Sequence, residues 1–285
     1  MIEITEQAYA KLNLTLDVLG KRPDGYHDLR SVMQGISLCD EVQIFIGVGK
    51  EWKIVCTEPG IPTDEKNLAW KAARAYCNTV GFEPGGLEIR IEKRIPAGAG
   101  LGGGSADAAA VLRGMNRHCG NPLSVQQLAE VGAKVGSDVP FCVLLGTAMA
   151  EGRGERLRVL PGIPACSIVV CKPDFSISTP ELYHRLDESV ITHRPNNKAM
   201  EEALNFADLH LISNEVLNVF DEVVSALHPE LDDIKAVCKS FGSLCQQMTG
   251  SGSAVFAIMP DEHAASAACK ALSEKYPQTF LVKPV

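Results

Sequence analysis

The sequence has no excess of basic residues: 27 Lys and Arg stand against 35 Asp and Glu, giving a net charge of −8 and an isoelectric point near 5.4. Nucleic acids and anionic membranes are bound through positive charge, so this balance excludes both as natural partners. An anionic nucleotide would have to be held by local groups and a divalent metal, against the field of the whole chain. No hydrophobic run is long enough to span a bilayer, the longest being residues 139–150, which Pro140 and Gly146 interrupt. The ten cysteines include no C-x-x-C pair and no histidine at zinc-finger spacing. They read as small buried apolar residues in a reducing compartment. The opening Met-Ile-Glu-Ile-Thr-Glu is acidic where a secretory leader is basic, so the expectation is a soluble, cytoplasmic protein. There are no internal repeats and no low-complexity tail, and 285 residues suit one large or two moderate domains.

What is present is a run of glycines leading straight into a helix. Pro96, Ala97, Gly98, Ala99, Gly100, Leu101, Gly102, Gly103, Gly104, Ser105 and Ala106 open a segment that continues with strong helix formers to Leu112. Five glycines in seven residues free the backbone for positive φ and for close approach to a ligand. Ser105 is placed to cap the helix, which then presents unpaired first-turn N–H groups and the positive end of its dipole at one point. Such a point seats an anion, most often phosphate. A flexible linker would not carry Leu101 in its middle or end in an alanine-rich helix.

Three better-known motifs fail at this run. Gly98-x-Gly100-x-x-Gly103 follows a strand-like alternation of Leu87, Ile89 and Ile91, as a dinucleotide fingerprint does. However, Gly120 and Pro122 end its helix and Ser124 starts another helix, where the dinucleotide fold needs a strand. A Walker loop needs a lysine, and Gly103-Gly104-Ser105 has none. A nucleophile elbow needs glycine where Asp107 stands.

The run resembles the phosphate loop of the GHMP kinases, the superfamily of galactokinase, homoserine, mevalonate and phosphomevalonate kinases. Further motifs extend the likeness over the whole chain: Ala10-Lys11-x-Asn13-Leu14, then Asp24-Gly25-Tyr26-His27, then Leu38-x-Asp40-x-Val42. In this order and spacing they resemble the GHMP branch of the non-mevalonate isoprenoid pathway, which phosphorylates the 2-hydroxyl of a diphosphocytidyl methylerythritol. The resemblance implies an α+β, two-domain GHMP kinase fold. Residues 1–160 would form an N-terminal nucleotide-binding α/β domain, and residues 161–285 a C-terminal ferredoxin-like α+β domain. It implies ATP and Mg²⁺, a small-molecule cytidyl diphosphate substrate, and a monomer or weak homodimer.

Read along the chain, residues 10–17 alternate apolar and polar, as a half-buried strand does, and by that pattern alone Lys11 faces solvent. The Asp24-Gly25 turn displays Tyr26 and His27, either as a platform for a planar ring or as loop anchors. Val42–Ile46 and Trp52–Val55 read as strands. Asn67 opens a helix over 68–79, either as its N-cap or as a contact to adenine. Ser124 caps a helix that Gly136 ends, and Pro140 then holds Asp138 in a non-helical turn. Arg153–Leu160 reads as a polar strand margin and Ser167–Cys171 as a buried strand. Ser178-Thr179-Pro180-Glu181 starts a helix carrying Tyr183. The tail is helical to about Phe241, then alternates strand, Gly250-Ser251-Gly252 loop, strand, helix and strand.

By resemblance, Lys11 and Asp138 are the catalytic pair and Asn67 lies by adenine. Asn13, Tyr26, His27, Thr179 and Tyr183 are on the substrate side, with Tyr26 and Tyr183 sandwiching the pyrimidine. Metal ligands are not identifiable, Ser105 being a possible contact. Ala106 stands where many of these kinases have a second serine, removing one hydroxyl. The rivals are a homoserine- or mevalonate-type kinase, whose substrates offer no ring to stack, and a non-catalytic sensor, which would not need Lys11 and Asp138.

Overall fold

The computed structural model describes residues 2–285. The strands are β1 (Ile2–Asn13), β2 (Thr15–Lys21), β3 (His27–Ile46), β4 (Trp52–Cys56), β5 (Leu87–Glu92) and β6 (Thr147–Gly152). They continue with β7 (Arg156–Val159), β8 (Ser167–Cys171), β9 (Leu217–Asn218), β10 (Cys245–Met248), β11 (Val255–Met259) and β12 (Thr279–Val282). The helices are α1 (Leu68–Val80), α2 (Gly103–His118), α3 (Val125–Ala133), α4 (Val139–Leu144) and α5 (Thr179–Glu188). They continue with α6 (Asn197–Phe206), α7 (Leu209–Asn214), α8 (Val219–Ser225), α9 (Glu230–Ser240) and α10 (Glu262–Ser273).

The chain packs as two compact units, and these are not the contiguous halves 1–160 and 161–285. The first comprises Met1–Ala10, Leu38–Ala97 and Gly102–Leu145; the second comprises Lys11–Ser37, Gly98–Leu101 and Gly146–Val285. The long strands β1 and β3 each contribute to both, so no single cut in the sequence separates them.

In the first unit, Glu41–Ile46 of β3 runs antiparallel to β5, and β5 runs parallel to β4. Leu87, Ile89 and Ile91 point into the core, as their alternation requires. Helix α2 packs on α1 and α4. Every residue from Ala106 to Leu112 is buried, so the small alanine side chains let a helix be enclosed all round. Asn67 caps α1, and Ser124 closes a capping box with Gln127 on α3.

Two expectations fail here. Ser105 does not cap α2: Gly102, at φ +72°, takes the N-cap position, so the helix begins at Gly103 and Ser105 lies inside its first turn. A left-handed residue is open to glycine, and the loop therefore closes into the helix earlier than a serine cap would allow. Nor does Pro140 stop a helix from resuming: α4 begins at Val139, although Asp138 itself stays outside it, in the turn that precedes. Asp138 is the N-cap of α4, and Pro140 sits in its first turn, where a missing N–H removes no intrahelical bond.

In the second unit, the first half of β3 pairs antiparallel with β2 and with β6, β6 pairs with β7, and β2 runs parallel to β9. A separate sheet has the order β10-β11-β8-β12, antiparallel throughout. Taken in chain order with the helices that connect the strands, this is the split β-α-β ferredoxin-like arrangement. Val169 and Cys171 of β8, with Val255, Ala257 and Met259 of β11, face the same core as Leu231, Ile234, Ala265, Ala268 and Leu272 of the covering helices. Cys77, Cys142, Cys171, Cys238 and Cys245 are buried and the other five cysteines are partly so. Burial pushes the Cys171 thiol up to about 11 and that of Cys238 to about 12, which keeps both as neutral apolar fillers.

The strand expected over 10–17 is two strands, with a break at Leu14. It is not half-buried either: Lys11, Asn13, Thr15 and Asp17 are as enclosed as their apolar neighbours. Each polar group has a partner that offsets its desolvation. Thr15 Oγ1 donates to Asn197 Oδ1 at 2.6 Å, and Arg194 Nη1 donates to Asp17 Oδ1 at 2.5 Å.

Candidate active site

The glycine run takes positive φ at alternate residues: +62° at Gly98, +75° at Gly100 and +72° at Gly102. The first bond of the α2 ladder is Ala106 N–H to the Gly102 carbonyl. The amides of Gly103, Gly104 and Ser105 thus precede the ladder and mark the positive pole of a 16-residue helix.

In the first unit this helix start lies close to two other segments. Leu68, which begins α1, has its Cδ1 3.6 Å from where a Cβ of Gly104 would be and 3.9 Å from the same position on Gly136. Ser105 Oγ is 4.0 Å from the Gly136 position, so the turn Gly136-Ser137-Asp138 is folded beside the first turn of α2. Asn67 turns its side chain inward: Oδ1 accepts from Ala69 N and Nδ2 donates to the Pro62 carbonyl. Of its two expected roles, the structure displays the cap.

In the second unit, Lys11 is 4% exposed, far from the solvated residue that strand alternation suggests. Its Nζ donates to Asn13 Oδ1 at 2.6 Å, and its backbone N–H donates to the Leu101 carbonyl at 3.0 Å. Asn13 is held in turn, because its Nδ2 donates to Ser31 Oγ and its N–H to Thr249 Oγ1. The Thr249–Ser253 loop abuts the glycine run. Ala254 N–H donates to the Ala99 carbonyl, and a Cβ on Gly100 would lie 2.1 Å from the Thr249 oxygen. A Cβ on Gly250 would meet Gly100 backbone at 2.9 Å and Lys11 Nζ at 3.3 Å. These glycines are needed so that two backbones and an ammonium can meet.

The aromatic residues are arranged differently from the expected two-tyrosine sandwich. Tyr26 is 57% exposed, with the Arg153 guanidinium 5.1 Å from its ring centre. Tyr183 stacks on His27, with centroids 4.6 Å apart and planes 21° from parallel, and meets Phe220 edge-on. His27 is buried, and its Nε2 bonds to Asp187 Oδ1 at 2.8 Å; Lys21 reaches the other Asp187 oxygen. Hydrogen bonds from His27 and Lys21 hold the Asp187 carboxyl below the usual carboxylate range. Thr179 Oγ1 lies 3.0 Å from Ser251 Oγ, which ties the start of α5 to the Thr249–Ser253 loop.

The sequence reading assigned no role to Ser31, Thr249, Asn218, Asp187 or the buried group Asp40, Lys93 and Asp107, although Asp40 and Asp107 stand within motifs that it quoted. Asn218 Nδ2 donates to the carbonyls of Met248 and Gly250, fixing the loop beside Lys11. Asp107, an acid within an otherwise apolar alanine helix, was the one detectable signal of the buried group. Burial drives the Asp107 carboxyl up to about 7, with Lys93 pulling the other way. Burial also opposes the charge on Lys93, but Asp107 and Asp40 outweigh it and raise the pKa of the ammonium.

Comparison with known proteins bears on both halves. Residues 67–146 match the model of the GHMP kinase N-terminal domain, and residues 195–278 match that of the GHMP kinase C-terminal domain. These matches and the fold define the class as that of the GHMP kinases. A 4-diphosphocytidyl-2-C-methyl-D-erythritol kinase from Clostridioides difficile (strain 630) is 42% identical over 274 residues, which is 96% of this chain and 92% of the relative. A crystal structure of 4-(cytidine 5'-diphospho)-2C-methyl-D-erythritol kinase superposes with a TM-score of 0.81 at 32% identity, covering 98% of each chain. A homoserine kinase from Cytophaga hutchinsonii superposes with a TM-score of 0.80 at 21% identity, over 99% of this chain and 94% of that one, a likeness of fold alone. The chain belongs to the 4-diphosphocytidyl-2-C-methyl-D-erythritol kinase family of the GHMP kinases.

Proposed function

We propose that this chain transfers the γ-phosphoryl group of ATP to the 2-hydroxyl of 4-diphosphocytidyl-2-C-methyl-D-erythritol, releasing ADP. The observation that carries this reading is the 42% identity with a kinase of that name along 96% of the chain. The geometry supports it part by part. The amides of Gly103, Gly104 and Ser105 supply a seat for phosphate at the helix N-terminus. Asp138 orients the acceptor hydroxyl. An alcohol is far less acidic than a carboxylic acid of pKa about 3.9, so Asp138 takes the proton late, as the P–O bond to the acceptor forms. The transition state is loose, with charge spread over the transferring phosphoryl oxygens, and Lys11 neutralises part of it. Asn13 aims that ammonium, since its Oδ1 is the acceptor for Nζ.

The donors near the phosphate seat fit Mg²⁺. Among the described residues no three His, Cys, Asp or Glu side chains gather as a metal cage. Ser105 Oγ offers a hard oxygen atom in the first turn of α2, beside the turn at Gly136. Mg²⁺ dehydrates reluctantly and is commonly held by substrate phosphates with one or two protein oxygens, so Ser105 is the residue that would contact it. When bound, it neutralises charge on the β- and γ-phosphates.

Tyr26 and the His27–Tyr183 stack supply flat surfaces for the cytosine, each stacked base being worth about 1–3 kcal/mol. Thr179 opens α5 next to them. The reaction takes place in a reducing compartment such as the cytoplasm, a reading supported by the ten free cysteines; separately, among the described residues, no helix is long and apolar enough to cross a membrane. Asp138→Asn is expected to reduce kcat by at least about 10²-fold while Mg·ATP still binds, by loss of the proton acceptor. Steady-state kinetics with calorimetric ATP titration checks this, and an Asn variant of wild-type kcat would refute the role.

A further inference from the structure

A buried ionic cluster sits under the phosphate loop, and the chemistry above makes no use of it. Asp40 of β3, Lys93 after β5 and Asp107 of α2 all belong to the first unit, and their side chains are 0%, 5% and 4% exposed. Asp40 Oδ1 accepts from Arg94 N at 2.5 Å and from Ile95 N at 2.8 Å, while its Oδ2 accepts from Lys93 Nζ at 2.5 Å. Lys93 Nζ also donates to Asp107 Oδ2 at 2.8 Å. Asp40 therefore pins residues 93–95, the limb that enters the glycine run. Lys93 reaches across to Asp107, in the helix that leaves it.

We propose that Asp40, Lys93 and Asp107 are positioning residues that clamp the two limbs of the glycine loop at the separation Mg·ATP requires, with the Lys93–Asp107 bond as the tie.

Three features favour this over plain packing. A buried ionic group is weak evidence for stability, because apolar residues of similar volume commonly do as well or better. Asp107 Oδ1 has no hydrogen-bond partner although it is buried, so the cluster is not arranged to satisfy all its members. Lys93 also lies where the helix alone would not favour it. A Cβ on Gly103 would be 3.3 Å from Nζ, so an ammonium sits against the first residue of α2, at the end of the helix dipole that repels cations. An anion on the amides above would turn that repulsion into attraction.

The inference rests on ATP being the bound nucleotide, and the test reads nucleotide affinity separately from turnover. The double variant Lys93→Met with Asp107→Asn removes the tie and leaves Asp40 with its two backbone donors but without its cation, so a lowered unfolding midpoint accompanies it and affinity is read at a temperature where the variant is folded. Calorimetric titration with Mg·ATP is expected to show a Kd raised about ten-fold, the scale of one charged hydrogen bond, in protein that circular dichroism shows to be folded at the titration temperature. Asp107→Asn alone keeps an oxygen facing Lys93 and is expected to stay within about three-fold of wild type. Wild-type affinity in the folded double variant would overturn the clamp, and so would an equal loss in the single Asn variant. A wild-type chain that binds Mg·ATP but does not phosphorylate the cytidyl substrate would refute the proposed function and leave the clamp testable.

Discussion

Gly100 is fixed by two separate demands. Its φ of +75° lies in the left-handed region, and a Cβ there would stand 2.1 Å from the backbone oxygen of Thr249, an atom that cannot swing aside. Gly100→Ala is expected to cost roughly 2 kcal/mol or more, combining left-handed strain with displacement of the Thr249–Ser253 loop. It should also weaken ATP binding. Chemical denaturation and nucleotide titration check this, and unchanged values for both would contradict the loop-on-loop packing. Residue by residue, the legible positions were those whose neighbours in sequence carry the signal, such as the glycine run and Asn67. Lys11 was misread by alternation alone, because its burial depends on Asn13, and that of Asn13 on Ser31 and Thr249, residues 18 and 236 positions away in sequence. Periodicity reports which face a residue occupies, not whether the polar face is also covered.

Helix α3 is the clearest case of an element specified by its own ends. Ser124 Oγ accepts from Gln127 N, and Gln127 Oε1 accepts from Ser124 N. Ser124→Ala is expected to destabilise the protein by about 1 kcal/mol, the usual value of a capping side chain, with kcat unchanged. Equilibrium unfolding by urea measures it, and a loss below the measurement error would show that tertiary contacts alone hold this helix. The start of α2 was missed for the opposite reason. A glycine can take the N-cap conformation without a side-chain bond, so the serine that looks like the cap lies three residues inside. The six-residue α4 was missed because proline was read as a helix breaker, when in the first turn it is compatible with a helix. In the C-terminal sheet, by contrast, strands β8, β10, β11 and β12 fall where apolar runs and turns place them, since each is short and locally bounded.

At the scale of the molecule, the class and family were legible because the phosphate loop, the Lys11–Asn13 pair and the Tyr26–His27 turn occur in one order. The division into units was not. It interleaves Lys11–Ser37 and Gly98–Leu101 with the C-terminal residues, a pairing made by long strands and loop contacts that no composition shift marks. This interleaving has a functional counterpart in the second unit, where Lys11 N–H is bonded to Leu101 and Ala254 N–H to Ala99. Lys11, proposed to neutralise the transferring phosphoryl group, and the end of the Thr249–Ser253 loop are thereby fastened to the glycine run by backbone bonds. The measurement that tests the account most directly is ATP turnover with Mg²⁺, using 4-diphosphocytidyl-2-C-methyl-D-erythritol, mevalonate and homoserine as separate acceptors. The account predicts ADP release and a 2-phosphate product with the cytidyl compound alone. Turnover with mevalonate or homoserine instead, or none with any acceptor, would contradict it.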